Sequence, residues 1–168
     1  MVLLDPDDAQ AVQASDLLRT SARSTWGRVF NPALDAAGKI WVGATTNFGW
    51  LEPDAHGTLQ YVSLVEKIPA EQRRFIAVWQ VAPTSQGIFF CSNARLFRWD
   101  GQRMQVWATK TSFEALAAVR GRIYTSQTGI GLQEVVGDAL RELPGGGAWK
   151  DSRRLRSEEH TLNSSHRT

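Results

Sequence analysis

Hydrophobic residues in the middle of this chain fall into short runs, many of which alternate apolar and polar positions. Three segments, which begin at Gly38, Gln86 and Gly121, repeat one order of features: an apolar run, a polar break, a second run, a glycine turn and an alternating closing run. A period of two is typical of half-buried strands. Glycine accepts the positive φ that tight hairpins need. The pattern therefore predicts a repeated β-structure.

Each repeat predicts four strands. The first runs predict strands at Ile40 to Gly43, Ile88 to Cys91 and Ile123 to Ser126. The second strands are centred on Trp50, Phe97 and Leu132. The closing strands are "LQYVSL", "MQVW" and "LREL", and a further strand precedes each repeat, at residues 26–30, 75–82 and 113–119. Residues 66–74 predict an insertion with one helical turn after Pro69.

Four antiparallel strands in each repeat favour propeller blades over the strands of a sandwich. We predict an all-β fold, an incomplete β-propeller of about three four-stranded antiparallel blades, over about residues 26–65, 75–108 and 113–147. Residues 1–25 would be a partial or poorly defined N-terminal segment, and residues 148–168 a linker with a non-native tail. An irregular β-sandwich is the alternative fold.

The stretch "GKIWVGATTNFGWLEPDAHG" resembles the two-component-regulator propeller repeat, whose pattern is an extended D-x-x-G-x-[IL]-W-[VI]-G-T followed by an aromatic strand. The matching residues are Asp35, Gly38, Ile40, Trp41, Val42 and Gly43. The other two repeats match loosely, and the resemblance covers about residues 26–147.

This resemblance implies a sensor domain of a bacterial signalling receptor with the triple-tyrosine-motif architecture. In such receptors a histidine kinase or diguanylate cyclase output domain lies elsewhere in the chain. It also implies a periplasmic or extracytoplasmic location, and it makes the remaining propeller blades of the parent chain a structural partner.

The last residues have a different origin in this interpretation. The string "RSEEHTLNSSH" within residues 156–168 resembles a translated sequencing adapter read in two frames, with a native polar tail as the alternative. We therefore leave these residues out of the functional argument. His56 is then the single histidine that remains.

Composition and charge exclude several classes of function. The net charge of +2 is too small to indicate nucleic acid or an anionic membrane surface as a partner. The lone cysteine, Cys91, cannot form an internal disulfide and is expected to be a buried thiol. No run of about 18 apolar residues and no signal-peptide pattern is present, so we expect no membrane contact from this segment.

The sequence offers little catalytic chemistry. His56 lies in a glycine turn and has no second histidine with which to share a metal. The acidic residues at 5–8 lack the glycine and distal glutamate of a calcium loop, and "TGIGL" at 128–132 is expected to be a hairpin. We predict no catalytic residue, no metal site and no cofactor.

Polar amides at equivalent turns are the candidate binding residues. Asn47, Asn93 and Gln127 each follow the first strand of a repeat, so in a propeller they would face one rim. Amides donate and accept hydrogen bonds, which suits a small polar ligand or a saccharide. Turns that are merely polar are the alternative.

Four tryptophans at strand positions are expected to pack in the core: Trp41, Trp79, Trp99 and Trp107.

Three functions remain open at this point. A non-catalytic ligand sensor is favoured, and a protein-interaction propeller is the first alternative. A polysaccharide-acting enzyme propeller would need clustered Asp, Glu, His or Tyr on one face, and the sequence shows no such cluster.

Overall fold

The computed structural model describes residues 29–151, with side chains from residue 32 onward. This part of the chain is all-β, as predicted, and contains three sheets. Each sheet has four antiparallel strands, and within a sheet the strands lie side by side in chain order. The architecture is that of an incomplete propeller of about three blades. The chain divides into two compact units between Ala108 and Thr109. Blades 1 and 2 lie in the first unit, and blade 3 lies in the second.

Blade 1 consists of β1 (Val29–Leu34), β2 (Ile40–Ala44), β3 (Asn47–Pro53) and β4 (Leu59–Ser63). The predicted strands from Ile40 and around Trp50 are confirmed, and these strands pair with Trp41 opposite Trp50. Of the strand predicted at 26–30, Val29 and Phe30 belong to β1, and residues 26–28 lie outside the described range. Its pairing with β2 shifts register around Pro32, which has no N–H to give to the ladder.

Two short 3-10 helices, Val65–Lys67 and Ala70–Gln72, connect blade 1 to blade 2. The helical turn predicted after Pro69 is therefore confirmed, in its tighter 3-10 form. The Nε of Arg73 donates to the Ile68 carbonyl at 2.8 Å, which ties the two helices together.

Blade 2 consists of β5 (Val78–Thr84), β6 (Gly87–Ser92), β7 (Arg95–Trp99) and β8 (Met104–Ala108). The prediction that β5 begins at residue 75 is wrong. The backbone before β5 pairs with blade 1 instead, because Ala77 forms an isolated bridge with Thr45 and the Ile76 carbonyl accepts from Thr46 N at 2.8 Å.

Phenylalanine rings from both blades fill the core of the first unit. The Phe48 ring of blade 1 lies 4.5 Å from the Phe90 ring and 4.8 Å from the Phe97 ring of blade 2. Phe75, just before β5, packs on Phe97 at 5.2 Å. Cys91 is fully buried, as predicted. The two blades therefore share one apolar interface.

Blade 3 consists of β9 (Phe113–Val119), β10 (Arg122–Gln127), β11 (Gly131–Val136) and β12 (Ala139–Glu142), followed by a 3-10 helix at Gly146–Trp149. The predicted strand 113–119 and the hairpin at "TGIGL" are both confirmed. Arg122 joins β10 to β11, because its guanidinium donates two hydrogen bonds to the Glu134 carboxylate, at 2.6 and 2.8 Å.

Aspartate begins three hairpin turns of the first unit: Asp35, Asp54 and Asp100. In each turn one carboxylate oxygen accepts two backbone N–H groups that lie two to four residues further along. A glycine with positive φ follows inside each turn, which a side chain would oppose. The D-x-x-G spacing at Asp35 is thus a turn that aspartate and glycine build together.

Candidate functional site

A cleft of about 490 Å³ opens between blades 1 and 2 of the first unit. Three indole rings line it, those of Trp41, Trp50 and Trp99, and Lys39 and Asp100 are its charged lining residues. The hairpin turns that follow β1, β5 and β7 form its rim, since Lys39, Ser85 and Asp100 belong to those turns. The cleft therefore lies at one end of both sheets.

Trp41 is a buried residue of the cleft lining. It lies on β2, is 6% exposed, and its ring packs on that of Trp50 at 5.4 Å and on that of Phe90 at 6.1 Å. Its Nε1 donates to the second oxygen of Asp35 at 2.8 Å. A single aspartate thus holds both the turn and the indole.

Trp50 lies beside Trp41 on β3 and is half-buried. Its Nε1 donates to the Glu52 carboxylate at 2.9 Å. The Lys39 ammonium lies 4.8 Å from the centroid of the Trp50 ring and 5.5 Å from that of Trp41. Both distances fall within the range of a cation–π interaction.

Asp35 and Asp100, at this end of the blades, both have a pKa below the usual value. Burial by itself would raise the pKa of Asp35, but hydrogen bonds from Trp41 and from the backbone of Lys39 and Ala37, with the Lys39 charge, hold that pKa below its usual value. Hydrogen bonds from the backbone of Arg103 and Gln102 lower the pKa of Asp100. Neither group is suited to deliver a proton near neutral pH.

Asn47 lies at the other end of blade 1, at the first residue of β3. Its Oδ1 accepts from the Phe48 backbone, from the Tyr61 hydroxyl and from the Ser63 hydroxyl, at 2.8, 2.9 and 2.8 Å. Burial raises the pKa of Tyr61, which keeps that hydroxyl a donor. The side-chain oxygen of Asn47 therefore joins β3 to β4.

The other two candidate amides differ from each other. Asn93 is exposed, in the turn between β6 and β7, and it lies at the same end of the first unit as Asn47. Gln127 ends β10 of the second unit, is 7% exposed, and its Nε2 donates to the Thr109 hydroxyl. Gln127 thus differs from Asn93 in exposure, because its side chain is buried within its own unit. A binding role for the three residues stays a prediction.

Three of the four tryptophans expected in the core are buried. Trp41, Trp99 and Trp107 are buried as predicted, whereas Trp79 is only partly buried. His56 is exposed in the turn after β3, where its backbone N–H donates to Asp54.

Sequence reasoning missed the cleft because its residues come from separate turns. The sequence pattern did not indicate Lys39, Trp50 and Asp100 as site residues. Lys39 belongs to the Asp35 turn, which the sequence shows as D-x-x-G, and Asp100 begins the turn that it shows as D-G. The signal that could have found them is the repeated placement of tryptophan next to such a turn, at Trp41 and Trp99.

Within residues 29–151, no group of three or more His, Cys, Asp or Glu side chains is placed to hold a metal ion. In the same range, no helix has the length and apolar character needed to cross a membrane.

Comparison with known proteins adds no relative: no family model, no curated protein and no solved structure matches this chain. The class of protein is therefore defined by the fold itself, an all-β chain of four-stranded antiparallel blades.

Proposed function

We propose that this chain is a ligand-binding part of a β-propeller and that it binds without turnover, as the extracytoplasmic sensor region of a bacterial signalling receptor. The observation that supports binding is the cleft between blades 1 and 2, where three indole rings and two charged side chains converge. A concave site with aromatic walls and few polar groups is typical of small-ligand recognition. The ligand is a small polar molecule or a saccharide.

Binding without catalysis is supported by the state of the acidic groups. The carboxylates of Asp35 and Asp100 are occupied by backbone N–H groups of their own turns. A general acid or a nucleophile needs a group that is free to react and has a suitable pKa. These two aspartates instead hold the turns that shape the cleft.

The receptor context rests on the resemblance of residues 26–147 to the two-component-regulator propeller repeat. In that context the remaining blades of the parent chain would pack against this segment. The test is the genomic reading frame around the chain: a membrane helix followed by a kinase or cyclase domain supports the proposal, and a secreted hydrolase without either contradicts it.

The binding site itself is tested by titrating the 168-residue chain with cellotriose and with choline chloride while recording the side-chain N–H resonances of tryptophan and asparagine. We expect at least one probe to shift the signals of Trp41 and Trp50, and mass spectrometry to recover that probe unchanged. Trp50→Leu should abolish the response, whereas the matched change Trp149→Leu, at a ring that is 51% exposed in the second unit, should not. Shifts at Asn93 without shifts at the indoles would move the site to the opposite end of the blades.

A further inference from the structure

The cleft already contains a cation that the chain itself supplies. The Lys39 ammonium lies over the faces of two tryptophans, 4.8 Å from the Trp50 centroid and 5.5 Å from the Trp41 centroid. The faces of aromatic rings carry partial negative charge, and tryptophan attracts cations more strongly than tyrosine or phenylalanine. The two rings are tilted by 59° to each other, so together they form two walls of a cage rather than a flat platform.

Both walls are polarised in the direction that strengthens this attraction. The Trp41 indole N–H donates to Asp35, and the Trp50 indole N–H donates to Glu52, at 2.8 and 2.9 Å. A carboxylate that accepts from the indole nitrogen pushes electron density into the ring, which makes its face more negative. A third carboxylate, that of Asp100, lines the same cleft. The Lys39 ammonium therefore lies over two rings, each of which is hydrogen-bonded to a carboxylate.

Lys39 is able to leave without disturbing the fold. Its backbone N–H is held by the Asp35 carboxylate at 2.9 Å, so the turn does not depend on the ammonium. The residue as a whole is exposed, and its long side chain can move into water by rotation about its own bonds. An external ligand can thus take its position over the two rings.

We propose that the cleft binds an organic cation, a quaternary or alkylated ammonium group, in the position that the Lys39 ammonium occupies, and that Lys39 competes with this ligand. The inference rests on the proposed function, since it names the ligand class of the same cleft. An anionic ligand is opposed by the carboxylates of Asp35 and Glu52, which are hydrogen-bonded to the two rings, and by Asp100 in the lining. A neutral saccharide would stack on the indoles but would gain nothing from the charge of the cage.

The experiment compares two ligands of nearly the same shape. Choline chloride and its uncharged analogue 3,3-dimethyl-1-butanol are titrated into the full 168-residue chain at constant ionic strength, and binding is measured by isothermal titration calorimetry and by the Trp41 and Trp50 side-chain N–H resonances. We expect choline to bind more tightly than the alcohol. Equal affinity for both would overturn the proposal, because binding would then follow shape alone.

Two substitutions test the competition. Lys39→Met removes the internal ammonium and keeps an apolar stem, so it should tighten choline binding by about two- to fivefold, the range that one exposed cation–π contact supplies. Lys67→Met, which removes an exposed lysine outside the cleft, should leave the affinity unchanged. Weaker choline binding by Lys39→Met would overturn the proposal.

Trp50→Leu keeps apolar bulk but removes one wall of the cage, and it should abolish choline binding while the circular dichroism spectrum stays that of the wild type. If this variant does not fold, the Lys39→Met result and the comparison of the two ligands still decide the outcome. Cellotriose binding without choline binding would reject the organic cation and leave the proposed function standing. Binding of either ligand that Trp50→Leu does not change would reject the cleft itself.

Discussion

The Asp35 carboxylate accepts a hydrogen bond from the Trp41 indole nitrogen at 2.8 Å while its other oxygen accepts the backbone N–H groups of Ala37 and Lys39. One side chain therefore sets the turn between β1 and β2 and the orientation of the ring on the next strand. This relationship gives a physical reason for the D-x-x-G-x-I-W order: the glycine allows the turn, and the tryptophan lies within reach of the aspartate.

Trp41 should be essential to the stability of the first unit. Trp41→Ala removes a ring that is 6% exposed, and we expect it to lower the free energy of unfolding by about 3 to 5 kcal/mol, as for other large-to-small changes in a core. Urea denaturation followed by circular dichroism measures the change. Trp149→Ala is the control, and a loss there as large as that of Trp41→Ala would contradict the assignment.

Acid should weaken the fold in part through Asp35. Its folded-state pKa lies below the usual value, so its stabilising contribution is present at neutral pH and is lost as the pH falls below about 4 and through the lowered pKa. The urea midpoint should therefore fall between pH 7 and pH 3, and it should fall less in Asp35→Asn, whose amide oxygen can still accept from the turn. Asp151→Asn, at an exposed residue, serves as the control. Identical pH profiles for wild type and Asp35→Asn would contradict this role.

Asn47 should act on stability, which separates it from Asn93. Asn47→Ala leaves the donors of Phe48, Tyr61 and Ser63 without their shared acceptor, and we expect a loss of about 1 to 2 kcal/mol in the free energy of unfolding. Asn93→Ala, at an exposed turn residue, should cost less than Asn47→Ala. Chemical denaturation of both variants tests this prediction. If Asn47→Ala were as stable as the wild type, the Asn47 hydrogen bonds would contribute nothing net to the free energy of unfolding.

Gly43 should be needed where β2 meets β5. A Cβ added there would lie 2.5 Å from the Val78 carbonyl oxygen and 2.7 Å from its Cγ1, so one of the two blades would have to move. We expect Gly43→Ala to destabilise the chain by about 1 to 3 kcal/mol, a typical cost of overpacking. Gly147→Ala, where a Cβ meets nothing within 4 Å, is the matched control. Thermal melting of the two variants provides the measurement, and a wild-type melting temperature for Gly43→Ala would contradict the close packing.

The amino-acid sequence determined the local structure of this protein. The alternating runs and the glycine turns placed strands such as β2 and β9 within one residue of their observed bounds, because strand alternation and turn chemistry are short-range properties. The start of β5 could not be placed in this way. The backbone of Ile76 and Ala77 pairs with Thr46 and Thr45, and that pairing depends on residues about 30 positions away.

Only the tertiary structure decided which polar and aromatic residues share a site. From the sequence, Asn47, Asn93 and Gln127 occupy equivalent positions. In the structure, the side-chain oxygen of Asn47 is shared by three donors of its own blade, Asn93 is exposed and Gln127 is buried. Trp50 and Asp100 are far apart in the chain, and they line one cleft because two blades pack through the Phe48 and Phe90 rings. Side-chain partners across sheets are set by packing, and no local pattern in the chain records them.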